Sequence, residues 1–379
     1  MSSSVLDVFT SGEGGYSCFR IPALLRTPSG GYALFAEGRN KSCSDYAPTD
    51  IVLKTSANGR VWSNMTVLCP LIGTRRMCSD HDADYGSSAH NPSPLIVGGK
   101  VMLVFEDMAD SPHTRLTAVR SLDDAAQMWN ASALDLTAAS GWYARGLIPG
   151  AGAAGISLPS GRILLPVHSD HWNSTGGTAA GAGMLISDDN GGSWRTSHGA
   201  AAQGNENAVA LAPNGSLIML MRLSSGWKGL SWSHDEGDHW SAPLINRSGG
   251  LPMVGASCEG SLLRIPGSPL LIAATPFNPS GSCGGAFRAR CNMTTWVSAD
   301  SGATWQLVAR AGVETEDAAY STLAPFNATH LAVVYERGYA AHTLTWTLVP
   351  LPPALVPRLV PENAFPARTS PQTRIAGSR

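Results

Sequence analysis

Short apolar runs follow turn residues at regular intervals along this chain. Pro28-Ser29-Gly30-Gly31 precedes the run Tyr32 to Glu37, Gly98-Gly99-Lys100 precedes Val101 to Glu106, and Pro159-Ser160-Gly161-Arg162 precedes Ile163 to Val167. Pro213-Asn214-Gly215-Ser216 precedes Leu217 to Arg222, Pro266-Gly267-Ser268 precedes Pro269 to Ala274, and Pro325-Phe326-Asn327-Ala328 precedes His330 to Glu336. Runs of five or six apolar residues bounded by Gly, Pro and Asn read as buried strands of hairpins. Six such runs recur at intervals of roughly 52 to 69 residues.

A second repeat accompanies the first. Ser-x-Asp-x-Gly-x-x-Trp is written three times, at Ser187 to Trp194, Ser233 to Trp240 and Ser298 to Trp305. Weaker echoes run from Ser56 to Trp62 and from Ser121 to Trp129. The grammar suits a hairpin turn: Asp bonds the local backbone, Gly takes a positive φ, and Trp pins the turn to its surroundings. Six similar antiparallel units that need neighbours to bury their faces predict a six-bladed β-propeller, an all-β fold. A β-sandwich with many hairpins is the alternative, though sandwiches seldom repeat at this period. The predicted propeller spans 11–348, after a short N-terminal segment, 1–10. The segment 349–379 is rich in Pro, Arg and Ser and reads as a disordered tail.

Composition fits this architecture. The chain has 379 residues, enough for a large core, with 41 Gly for turns and 11 Trp for packing between blades. Charged residues make up 14 % and the formal net charge is −2, with no basic run, so nucleic acid is not an expected partner. No apolar stretch approaches 18 residues, so no transmembrane helix is expected. Eight of the 15 Asn open Asn-x-Ser/Thr sequons: Asn40, Asn64, Asn130, Asn173, Asn214, Asn246, Asn292 and Asn327. That excess favours a lysosomal or secreted protein, although MSSSVLDVFT carries neither the basic nor the apolar region of a signal peptide. Seven Cys leave at least one unpaired within the chain, and Cys283 with Cys291 is the expected pair.

Function is expected where the hairpin ends opposite the turns collect. Counting about seven residues from each turn selects Arg20, Asn91, Glu206, Glu259 and Tyr320 before the turns, and Arg39, Glu106, His168, Arg222 and Glu336 after them. Long charged side chains gathered at one mouth need partners or a ligand. Arg20, Arg222 and a third from Arg288-Ala289-Arg290 are candidates for gripping one anionic group, since guanidinium forks match a carboxylate. An acidic substrate follows.

These residues resemble a known family. Phe19-Arg20-Ile21-Pro22 is similar to the FRIP motif of sialidases, and the repeated phrase resembles their Asp-box. Glu37-Gly38-Arg39 followed by Asp45, Glu206-Asn207 sixteen residues ahead of Arg222, Cys258-Glu259-Gly260-Ser261, Tyr320-Ser321-Thr322-Leu323 and Val334-Tyr335-Glu336 match in family order, with spacing closest to the animal lysosomal type. The resemblance implies an exo-α-sialidase acting on sialylated glycoproteins, glycolipids or oligosaccharides, with no cofactor or metal. Arg20, Arg222 and Arg290 match the triad that grips the substrate carboxylate. Glu336 matches the carboxylate that holds the first arginine, and Arg39 an accessory substrate contact. Tyr320 matches the nucleophile, Glu206 its general base and Asp45 the acid/base, with Asp50 a rival for that last role. Glu259 stands where the family often has Gln, either as a specificity change or as a salt-bridge partner.

The residue types suit the chemistry. A sialoside carries its carboxylate on the anomeric carbon, where a carboxylate nucleophile would meet like charge. A neutral Tyr avoids this but needs a base to take its proton, and sialidases depart in this way from the two-carboxylate pattern. Asp45 must be partly protonated to donate, which partial burial would favour. Other motifs carry less. Gly150 to Gly155 fits G-x-G-x-x-G, but Pro159 forbids the helix that should follow. His168, Asp170 and His171 lack persuasive metal-ligand spacing, and Gly255 to Gly260 misses G-x-S-x-G. A trans-sialidase of the same fold and a non-catalytic glycan-binding propeller stay open as alternatives.

Overall fold

The computed structural model describes residues 5–68, 88–108, 115–130, 132–136, 147–169, 181–198, 201–202, 204–223, 225, 227–245, 251, 257–278, 290–311, 316–338 and 343–351. Of the predicted tail 349–379, Val349 and Pro350 instead end the strand Thr343–Pro350 and Leu351 is buried against the sixth blade, so the body runs past 348. Residues from 352 onward, Cys283 and therefore the Cys283–Cys291 pairing, Arg288, Asp170 and His171 lie outside the described residues. The described strands form six antiparallel sheets arranged as the blades of a propeller. The innermost strands are Cys18–Arg26, Ala89–Val97, Ile148–Pro149 with Ile156–Ser157, Asn207–Leu211, Ser261–Arg264 and Ala318–Pro325. Each pairs with a second strand: Tyr32–Arg39, Lys100–Asp107, Ile163–Ser169, Leu217–Arg222, Leu271–Pro276 and His330–Arg337. These second strands are the six apolar runs. Their near-continuous burial has a simple cause: both faces of each blade are covered by neighbouring blades.

The core sits between blades. Six hydrophobic clusters each join two adjacent blades, such as Phe35 and Leu53 of the first with Leu103, Phe105 and Trp129 of the second. The ring is closed by Leu6–Phe9, expected above to lie outside the propeller. It pairs with Thr343–Pro350 as the outer strand of the sixth blade, Leu6 opposite Trp346, and Asp7 holds Arg337 at 2.6 Å. A four-residue strand is too short to signal itself locally. Its place is set by a partner more than 330 residues away.

The three full boxes share one bonding pattern at Ser, Asp and Gly, and those starting at Ser233 and Ser298 add a Trp indole bond. In the box from Ser298 to Trp305, Ser298 Oγ donates to Asp300 Oδ1 at 2.7 Å and accepts from the Gly302 N–H at 2.9 Å. Asp300 also accepts from the Thr304 N–H at 2.9 Å, and the Trp305 indole donates to the Gly302 carbonyl at 3.1 Å. The echo around Asp123 keeps this logic, with Ala126 at φ 60° in the glycine position and the Trp129 indole on its carbonyl at 3.1 Å.

Register puts all these turns on one face, since Tyr32, just after the first hairpin turn, stands opposite Ser56 of the first box. The starts of the innermost strands therefore open on the other face. An axial cavity of about 300 Å³ lies toward the turn face, lined by Leu24, Gly152, Ala208, Leu263 and Thr322 with Arg26 and Arg264, and does not include Arg20, Arg222, Arg290 or Tyr320. Within the predicted G-x-G-x-x-G loop, Gly152 has φ 86°, and a Cβ there would clash with the Pro22 carbonyl oxygen. Close packing on the axis therefore accounts for that glycine.

Candidate active site

Three innermost strands begin with a backbone irregularity that faces the mouth. Register shifts fall after Arg20, His90 and Ala319, and Ile21, Asn91 and Tyr320 have φ of 52°, 54° and 30°. Such bulges turn a side chain out of the pleat and release an N–H from the ladder. A buried carboxylate receives each one. The Ile21 N–H donates to Glu336 Oε1 at 2.9 Å, the Asn91 N–H to Glu37 Oε1 at 2.8 Å and the Ser321 N–H to Glu259 Oε2 at 2.9 Å. Each carboxylate comes from the preceding blade, so neighbouring blades fix one another's entry strands.

The bulges deliver the charged residues to one point. Glu336 takes Arg20 through two bonds, Nε to Oε1 at 3.1 Å and Nη2 to Oε2 at 3.2 Å. The Arg20 guanidinium carbon lies 4.9 Å from the Tyr320 ring centre, and that of Arg290 5.6 Å. Arg222 Nη1 is 3.3 Å from the Tyr320 hydroxyl and 2.7 Å from Glu206 Oε2. The Tyr320 hydroxyl donates to Glu206 Oε1 at 2.7 Å. Asp45 Oδ1 accepts from Arg20 Nη1 at 2.7 Å and from Arg39 Nη1 at 2.6 Å. Arg20, Asp45, Glu206, Arg222, Arg290, Tyr320 and Glu336 thus form one cluster. Arg39 joins it from beneath, 2 % exposed, held by Glu37 at 2.6 Å and by the Cys43 carbonyl at 2.8 Å. Asp50 stands apart, buried and accepting from the Tyr16 hydroxyl at 2.7 Å.

The electrostatics assign protons. Burial and the adjacent Glu206 push the Tyr320 phenol well above its ordinary range, so it is neutral. Burial alone would raise Glu206, but Arg222, His168 and the Tyr320 hydroxyl together outweigh it and hold the carboxylate below its usual value, ionised and ready to accept a proton. Asp45 departs from the sequence-based expectation. Partial burial does act to raise it, yet Arg39 and Arg20 outweigh that effect and hold it low, with 73 % of its side chain exposed. Two guanidiniums on one carboxylate favour its charged form.

Several supports were not anticipated from the sequence. A disulfide from Cys18 to Cys43 ties the first strand to the Asp45 loop, with a Cα separation of 5.7 Å. The signal was the placement of Cys just before Phe19-Arg20 and two residues before Asp45. Ser257 holds two arginines: its hydroxyl accepts from Arg222 Nε at 2.9 Å and its carbonyl from Arg290 Nη2. Cys258 is free and buried, and its sulfur accepts the Tyr320 N–H at 3.4 Å. Glu259 makes no salt bridge among the described residues; it serves the Ser321 backbone instead.

Comparison with known proteins agrees with the propeller fold. The family model described as a BNR repeat-like domain matches residues 45–333. A sialidase of Micromonospora viridifaciens is 24 % identical over 368 residues, covering 90 % of this chain and 54 % of that one. The chain spans about half the length of the curated relatives it matches. Among solved structures, the Hadza microbial sialidase Hz136 superposes with a TM-score of 0.75 at 22 % identity, over 92 % of this chain and 68 % of that one. The intramolecular trans-sialidase from Ruminococcus gnavus gives a TM-score of 0.70 at 14 % identity, over 90 % and 96 %.

Removing Glu336 tests the cluster's construction. Glu336→Ala strips the buried Arg20 of the partner of its Nε and Nη2, leaving it only the exposed Asp45, and leaves the Ile21 N–H without an acceptor, so stability should fall by about 3–5 kcal/mol, read from denaturant unfolding. A loss under about 1 kcal/mol would show that the pair does not hold the bulge.

Proposed function

Taking as premise that this chain belongs to the BNR repeat-like domain family, we propose that it is an exo-α-sialidase. It releases terminal sialic acid from glycoconjugates with retention of configuration. The observation that carries this reading is the convergence of Arg20, Arg222 and Arg290 on one phenol already bonded to a carboxylate.

The substrate carboxylate takes the three guanidiniums and so places the anomeric carbon over Tyr320. The phenol oxygen attacks that carbon while Glu206 takes its proton, and Asp45 protonates the departing glycosidic oxygen. A covalent tyrosyl glycoside results. Asp45 then draws a proton from water, whose oxygen displaces Tyr320, and Glu206 returns the proton to the phenolate. Two inversions give net retention.

The free chain holds these carboxylates in a resting arrangement. Asp45 sits on Arg20 and Glu206 on Arg222, the same guanidiniums the substrate carboxylate requires. Substrate therefore competes with both. Drawing Arg20 from Asp45 removes one cation from it and adds an anion nearby, which raises its proton affinity where a general acid is needed.

Hydrolysis of a fluorogenic α-sialoside tests the activity, and Tyr320→Phe should lower kcat at least about 100-fold. Full activity in that variant would remove the nucleophile, and transfer to added lactose in place of hydrolysis would make the protein a trans-sialidase. The pH profile tests the exchange of partners. Since kcat/KM reports the free protein, where Asp45 is held low, its alkaline limb should lie at lower pH than that of kcat. Coincident limbs, or a rate peaking above pH 8, would contradict it.

A further inference from the structure

The segment 257–261 touches three of the clustered residues, yet none of its atoms has a part in the reaction above. Ser257 holds Arg222 and Arg290, Cys258 Sγ takes the Tyr320 N–H, and Glu259 takes the Ser321 N–H. Ser261 and Ser321 hydroxyls add a bond at 2.8 Å. This segment therefore sets the backbone of Tyr320, whose φ of 30° no regular strand would keep.

Something must hold the segment in turn. Lys228 opens the third strand of the fourth blade, directly opposite Arg222, and its side chain is buried. Its ammonium donates to the Cys258 carbonyl. Gly260 leaves room for it, since a Cβ there would stand 2.9 Å from Lys228 Cε. Lysine is almost never buried without a strict local use. Burial pushes Lys228 down and Glu259 up, so both groups are held against their own solvation. Neither faces the Tyr320 hydroxyl through a hydrogen bond; both act on the backbone beneath it.

We propose that Lys228 and Glu259 are positioning residues for the phenol, clamping segment 257–261 so that Tyr320 stands at its bulge between the arginines. The inference rests on Tyr320 being the nucleophile. Lys228→Met leaves a buried carbonyl without its donor and frees the Cys258 end of the clamp. Glu259→Gln keeps an oxygen for the Ser321 N–H, whereas Glu259→Leu does not.

The test compares these three variants in the full chain by kcat on a fluorogenic α-sialoside, Kd for free N-acetylneuraminate, and amide exchange of a peptide spanning 318–325. Lys228→Met and Glu259→Leu should lower kcat about tenfold or more, change Kd less than about threefold, and speed exchange at 319–321. Glu259→Gln should stay within about twofold of the parent in kcat, with its exchange unchanged. A folded Lys228→Met with parental kcat and exchange would overturn the proposal, as would equal behaviour of the Gln and Leu variants. Should Lys228→Met fail to fold, the Gln and Leu pair decides. If the parent cleaves no sialoside, the sialidase reading falls while exchange still judges the clamp. If Tyr320→Phe is inactive and all three variants match the parent, only this inference falls.

Discussion

Guanidinium groups gathered in a confined space demand anions, and that demand organises this molecule. Arg20, Arg39, Arg222 and Arg290 stand at one mouth of the ring. Alone they would repel one another and resist burial. Glu336 and Glu37 answer permanently from buried strand ends. Asp45 and Glu206 answer in a form that an incoming carboxylate can replace. The first set builds the site, and the second leaves it open to the anionic substrate proposed above.

The propeller makes such a gathering possible. Each blade offers one strand start at the axis, and the blades are locked by apolar clusters between them. Bulges at three strand starts aim side chains inward, and the preceding blade's carboxylates satisfy the released N–H groups. Precision at the mouth thus comes from ring closure as well as from local sequence. Closure by a strand from the far N-terminus places the first and last residues of the fold in one blade. That links Arg20 to Glu336 across nearly the whole chain.

Much of this was legible in the amino-acid order because the repeat is local. Each second strand follows its own turn residues, so six blades could be counted without knowing their partners. Arg20, Arg39, Glu206, Arg222, Tyr320 and Glu336 were legible because they stand at a fixed distance from those turns, whereas Asp45 and the choice of Arg290 came from the family resemblance. What was hidden depends on contacts distant in sequence. Leu6–Phe9 is a strand only beside Thr343–Pro350, and Lys228 reads as an ordinary surface lysine until Cys258 lies across it. The depressed proton affinity of Asp45 was likewise beyond reach, because it depends on Arg39 and Arg20 folding onto one carboxylate together.

The proposed reaction requires a phenol that becomes covalently attached to sugar. Incubation with 2,3-difluorosialic acid, from which fluoride departs as the anomeric carbon is attacked, followed by peptide mass mapping, measures this directly. One sialyl adduct per chain, on the peptide bearing Tyr320, is the predicted result. An adduct on a carboxylate, or hydrolysis of a sialoside by a protein that never acquires one, would contradict it.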